Sequence, residues 1–150
     1  MTETTGRQLS YAIIGAGMAG ILAAIKLKER GEQFTVFEKA ARIGGTWREN
    51  RYPGLTCDVP AHAYTYSFEP YAEWQAYYAT GAEIQTYFEQ TVDKYGVRPS
   101  IRFNAEVTAL DWDEATRQWT VTLAGGERQV FDVVIAASGV LHHPKLPDIE

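Results

Sequence analysis

Six residues near the start, GAGMAG at 15–20, constrain this chain more than any other stretch. LSYAII at 9–14 is a short apolar run rich in β-forming side chains that ends abruptly in glycine, which reads as a buried strand. ILAAIKLKER at 21–30 then has helical spacing and good helix formers, and Gly31 stops it. Strand, glycine turn and helix follow in the order that a dinucleotide-binding βαβ unit needs. Gly15 suits the tight turn, Gly17 lets backbone approach a pyrophosphate, and Gly20 brings the helix close to the sheet. The first N–H groups of that helix, at its positive dipole end, would face the diphosphate.

A second apolar run, FTVF at 34–37, ends in Glu38, eighteen residues after Gly20. A carboxylate there accepts hydrogen bonds from ribose hydroxyls and repels a 2′-phosphate. RIGG at 42–45 follows closely. Taken alone, Gly44-Gly45 reads equally as a flexible turn or as a second backbone approach to the same diphosphate. With the rest of the chain it favours an extended FAD over NAD.

The remaining pattern supports that choice. Thr46 and Trp47 lead into RYPG at 51–54, a turn signature. Residues 55–62 read as irregular and 64–68 alternate weakly. An irregular segment this long and this aromatic is expected to line a cofactor or carry function. Residues 71–78 suit a helical turn or loop. In 82–95, Ile84, Tyr87, Phe88, Thr91 and Val92 share one face of an amphipathic helix closed by Gly96. Residues 101–103 form a short strand. Residues 107–112, 118–123 and 128–131 alternate around two turns, a three-stranded antiparallel excursion. The apolar run at 132–137 is typical of a central parallel strand.

The fold class is therefore α/β: a Rossmann-like FAD-binding domain, partial, with a central parallel sheet and an antiparallel three-stranded excursion. Residues 1–7 are expected to be a flexible tail, 8–140 the FAD-binding domain, and 141–150 a Pro-punctuated linker.

Composition narrows the partners. A net charge of −5 without a cluster of Lys or Arg argues against nucleic acid and anionic membranes. One cysteine, Cys57, excludes an internal disulfide and a cysteine-based zinc site. His142 and His143 point apart and lack a third ligand, so a linker is the better reading than a metal site. His62 has no nucleophile arranged beside it. The N-terminus lacks a signal-peptide pattern and no apolar run could span a bilayer, which makes a cytoplasmic setting the default.

Together GAGMAG, Glu38, GGTW at 44–47, RYPG at 51–54, CDVP at 57–60 and ASGVLHHPKLP at 137–147 resemble the N-terminus of a class B flavoprotein monooxygenase, most of all the Baeyer–Villiger monooxygenases. The resemblance runs along essentially the whole chain. It implies an NADPH- and O2-dependent oxygenation, ketone to ester or lactone through a flavin peroxide. It also implies FAD contacts at Gly15, Ala16, Gly17, Met18, Ala19 and Gly20, at Glu38 with Lys39 beside it, and at Gly45, Thr46 and Trp47. Tyr64 and Val107 match further FAD contacts, and Thr56, Cys57 and Asp58 sit where the family touches NADP. Asp58 matches the active-site aspartate, whose arginine partner the family places beyond residue 150.

Several alternatives stay open. Trp47 could be core packing or a shield for the flavin, Cys57 a buried small residue rather than a nucleophile, and Asp58 a solvated turn residue. A second GxGxxG for NADPH, and the family's Phe-Gly, His and Trp fingerprint, are missing. The chain is thus expected to be a fragment that lacks an NADP-binding domain and is inactive alone. The rival readings are a non-catalytic FAD-binding remnant, an NAD-linked dehydrogenase domain, and a flavin monooxygenase that oxygenates nitrogen or sulfur.

Overall fold

The computed structural model describes residues 7–141 and 145–149. Strand β1 (Ser10–Ile14) runs between β2 (Gln33–Phe37) and β7 (Val133–Ala136), and β3 (Ile101–Arg102) lies outside β2. All pairings in this four-stranded sheet, ordered β3-β2-β1-β7, are parallel. A separate antiparallel sheet contains β4 (Val107–Asp113), β5 (Gln118–Leu123) and β6 (Arg128–Phe131), in that order.

The pleat of the parallel sheet sends successive side chains to opposite faces, so each face has its own core. On one face Ile13 and Val36 pack with helix α1 (Met18–Glu29) and helix α3 (Gly81–Lys94), where Ile84, Tyr87, Phe88 and Val92 are buried. On the other, Ala12 and Phe37 meet Val121, Leu123 and Phe131 of the antiparallel sheet. Phe37 and Phe131 stand edge to face, 5.7 Å apart. An ion pair from Arg102 on β3 to Glu127, at 2.8 and 2.9 Å, fastens the two sheets.

Most expected elements form near their expected bounds, with informative differences. Helix α1 begins at Met18 rather than 21, so the end of the glycine motif is already helical. Helix α3 starts earlier because Thr80 and Glu83 close a reciprocal capping box, with each side chain bonded to the other's backbone N–H. Residues 64–68 form no strand, only an isolated bridge between Tyr66 and Glu69. β7 pairs with β1 alone among the described residues, and Val133 to Ile135 are only half-buried. Its apolar pattern suits burial on both faces, which an edge position does not provide. His142 and His143, and residues 1–6 of the expected tail, lie outside the described residues.

The aromatic segment also differs from expectation. Much of it packs against α3 instead of facing a cofactor. Tyr66, Tyr71 and Trp74 surround Tyr87 with ring centroids 5.6–5.8 Å away. The Tyr87 hydroxyl donates to the Glu69 carbonyl and accepts the Tyr66 N–H. Without a strand ladder, these polar backbone groups need side-chain partners, and buried tyrosines supply them.

Candidate functional site: a cleft between two glycine turns

The carboxyl ends of the parallel strands open into a cleft of about 1150 Å³. In open α/β sheets this is where ligands bind. The first wall is the GAGMAG turn. Gly15 has φ +100°, and a Cβ there would lie 2.6 Å from the Ala137 carbonyl oxygen. A Cβ at Gly20 would lie 1.9 Å from the Gly15 carbonyl oxygen, so the helix can approach the turn only with glycine at that position. Gly15, Gly17, Met18 and Ala19 line the cleft. The first-turn N–H groups of α1 have no intrahelical acceptors and are available to a ligand.

Ala16 and Gly20 do not line the cleft; they shape it from behind. Ala16 is fully buried and donates its N–H to Glu38 Oε2 at 2.8 Å. Glu38 Oε1 accepts from the Ala40 N–H at 2.9 Å. Glu38 is 5% exposed yet borders the cleft. Each carboxylate oxygen can accept more than one hydrogen bond, so both still have capacity for a hydroxyl donor. Lys39 borders the cleft beside it and lies 3.9 Å from Glu49.

The opposite wall is the Gly44–Gly45 turn leading into the short helix α2 (Thr46–Glu49). The Gly44 N–H donates to the Ala16 carbonyl at 2.9 Å, which ties the two turns together. A Cβ at Gly45 would come within 3.2 Å of Gly17 Cα, so the two backbones face each other without side chains between them. Thr46 and Trp47 continue this wall. Trp47 belongs to this wall and to the core at once, and its indole N–H donates to the Tyr64 hydroxyl at 3.0 Å. Burial holds the Tyr64 hydroxyl above its ordinary pKa, partly offset by the Trp47 bond, with smaller upward contributions from Cys57 and Asp58.

Thr56, Cys57, Asp58 and Val107 complete the set of expected residues along the cleft. Cys57 is 3% exposed, as a small packing residue would be. Asp58 is exposed and forms no salt bridge among the described residues. Sequence reasoning missed the contribution of residues 136–141, although their Ser138-Gly139 end was visible as a strand exit. It also missed Gln85 on α3, which is buried and donates to the Ile43 carbonyl at 2.9 Å. A glutamine on the apolar side of an amphipathic helix was the available signal.

Among the described residues no group of three or more His, Cys, Asp or Glu could hold a metal ion. No described helix is long and apolar enough to cross a membrane.

Comparison with known proteins agrees with this geometry. Residues 13–80 match the family model of an NAD(P)-binding Rossmann-like domain. A Baeyer–Villiger monooxygenase of Streptomyces coelicolor is 40% identical over 148 residues, which is 98% of this chain and 28% of that protein. The crystal structure of OTEMO with FAD and NADP superposes with a TM-score of 0.89 at 36% identity, covering 95% of this chain and 27% of that one. The closed form of cyclohexanone monooxygenase gives 0.88 at 36% identity, covering 96% of this chain and 28% of that one. The chain thus spans less than a third of the length of the relatives it matches. In sequence and in fold the chain is similar to a portion of the Baeyer–Villiger-type flavoprotein monooxygenases.

Proposed function

We propose that the cleft holds FAD, with its diphosphate between the two glycine turns and an adenosine ribose on Glu38. In this reading the chain is the FAD-binding part of a cytoplasmic, NADPH- and O2-dependent monooxygenase whose substrates are small ketones. One observation carries it: Gly17 and Gly45 approach so closely, a Cβ on Gly45 lying 3.2 Å from Gly17 Cα, that two glycine turns line one cleft side by side. A nicotinamide dinucleotide on a simple βαβ unit needs only the first of these turns. The OTEMO structure holds both FAD and NADP, and cyclohexanone monooxygenase bears a ketone in its name, which supports the cofactor and the substrate class.

The residues fit such a cofactor. Gly15, Gly17, Met18 and Ala19 present backbone to the diphosphate, and Gly45 and Thr46 approach from the other side. Glu38 is oriented by two backbone N–H groups, so its free lone pairs are already aimed when a ribose arrives. Val107 lines the cleft and would border the adenosine, and Lys39 lies next to Glu38 along the same wall. Trp47 and Tyr64 lock each other through a hydrogen bond and an edge-to-face contact, a rigid apolar wall that excludes water. Asp58, with Thr56 and Cys57, offers a carboxylate on the cleft surface toward the second dinucleotide. Bound FAD would supply the redox chemistry between NADPH and O2. Residues 8–140 are then the FAD-binding unit and 141–150 the connector to an NADP-binding domain.

Titration of the chain with FAD, followed by quenching of isoalloxazine fluorescence, tests the cofactor. Saturable uptake is expected, weak because Val140 and Leu141, which line the cleft, are apolar groups 96% and 80% exposed. Uptake of NAD+ with none of FAD would overturn the reading. Joining this chain to the remaining length of the Streptomyces coelicolor relative tests the activity. Ketone-dependent NADPH consumption with an ester or lactone product is expected, and NADPH consumption without oxygenated product counts against it.

A further inference from the structure

We infer that Gln85, a residue outside the cleft, is a positioning residue that sets the second glycine turn. Gln85 lies on the inner side of α3 between apolar neighbours and is 8% exposed. A buried primary amide needs partners for both its protons and its oxygen. Its Nε2 donates to the Ile43 carbonyl at 2.9 Å and to Glu89 Oε1 at 3.0 Å. Only the NH2 end can serve two acceptors, so these bonds fix which way the amide points. Its Oε1 is buried without a hydrogen-bond partner.

Position 44 is glycine first because its φ is +124°, and that oxygen adds a steric reason. A Cβ there would lie 1.8 Å from Gln85 Oε1, so a Cα–H of Gly44 points at it. An apolar side chain at 85 would bury as well and leave no orphan oxygen. The amide is explained by what it holds: the carbonyl before the turn and the α-carbon within it. Glu89 is itself anchored by Arg98 at 2.7 Å and Arg42 at 3.4 Å. The series Arg98, Glu89, Gln85, Ile43 therefore couples the register of α3 to the turn. The turn in turn is bonded to Ala16 through the Gly44 N–H, so Gln85 sets the gap between the two cleft walls.

The consequence for cofactor affinity rests on the FAD reading, whereas the pinning of the turn does not. Amide hydrogen exchange separates them. The N–H groups of Gly44, Trp47, Arg48 and Glu49 bond to Ala16, Gly44 or Gly45 carbonyls and report on the turn. In Gln85→Met they should exchange about tenfold faster, a local opening that leaves the amides of β1 and α1 unchanged. FAD binding should weaken about tenfold without a matching fall in melting temperature. Gln85→Glu can donate only when protonated, so the protection of its turn amides, corrected for intrinsic exchange and set against the parent at each pH, should be low near about pH 8 and recover near about pH 5. That pH-dependent rescue is a response a merely space-filling residue would not give, and it decides the matter if the methionine variant fails to fold. Exchange at the parent's rates in both variants overturns the pinning. A loosened turn in a chain that takes up no FAD keeps the pinning and discards the FAD reading. Unchanged exchange in a chain that binds FAD does the reverse.

Discussion

The GAGMAG turn is closed by its own neighbours. Gly20 packs on the Gly15 carbonyl, Gly15 donates to the Phe37 carbonyl at 2.8 Å, and Glu38 at the end of β2 takes the Ala16 N–H. The Gly44–Gly45 turn has little local support: α2 is four residues long with no side-chain cap on Gly45, and its anchor Gln85 arrives some forty positions later on α3. Both turns face the same cleft, but the first is held mainly from within the β1-α1-β2 unit and the second from α3. The first should therefore fail only with the fold, whereas the second can fail alone.

The harshest way to break this contrast is Gly20→Ala. The added methyl meets backbone, which cannot swing aside, so overpacking should cost about 3 kcal/mol and lower the thermal midpoint of the whole chain. A normal midpoint would show that helix α1 can retreat from the turn. Glu38→Ala comes next. It strands the N–H groups of Ala16 and Ala40, and losing charge-assisted bonds of this kind costs roughly 2 kcal/mol. Exchange should accelerate at Ala16 before it does at Trp47, and a uniform change would erase the distinction between the walls.

The difference in support is also the difference in what could be read beforehand. A hexapeptide between an apolar run and a helical run names much of its own geometry, because Gly20 answers to the Gly15 carbonyl within the same motif, whereas Gly15 itself also meets the distant Ala137. The strands of the excursion were equally legible, since alternation and Gly125-Gly126 mark the hairpins within 26 residues. Gln85 is marked only as a polar residue on an apolar helix face, which does not name its partner: Ile43 is distant in sequence, and amphipathic periodicity counts only the apolar positions around it. The aromatic residues at 66–74 misled for a related reason. Rings suit a cofactor wall and a loop core equally well, and only the position of Tyr87 on α3 decides between them. The edge placement of β7 was hidden too, because an apolar run reports the burial a strand is suited to and not the neighbours it has.

Thr80→Ala attacks the second turn through its support. The cap is exposed, and its loss should cost about 1 kcal/mol. Fraying of the first turn of α3 reaches Gln85, five residues from the cap, so the amides of Trp47 and Arg48 should lose protection while those of α1 keep theirs. Equal loss in both places would mean that α3 transmits nothing particular to the 44–45 turn.

The gentlest probe is acid. The N–H of Thr80, then that of Gln75, then the Thr80 hydroxyl hold the Glu83 carboxyl below its ordinary value of 4.5. A depressed folded pKa means that the carboxylate stabilises the start of α3 fully above the unfolded value, and that this is lost as pH falls below about 4.5. At the other end of the helix, Arg98 holds Asp93 below its ordinary range in the same sense. Acidification from about pH 5 to about pH 2 should thus loosen α3, first at its Glu83 end and at lower pH at its Asp93 end, with the Trp47 and Arg48 amides responding more than those of α1. Glu83→Gln keeps an acceptor for the Thr80 N–H without the charge, so its own response over that interval should be smaller than the parent's. If the parent and this variant respond alike, Glu83 does not carry the acid sensitivity of α3, and the route from the helix cap to the second turn is lost with it.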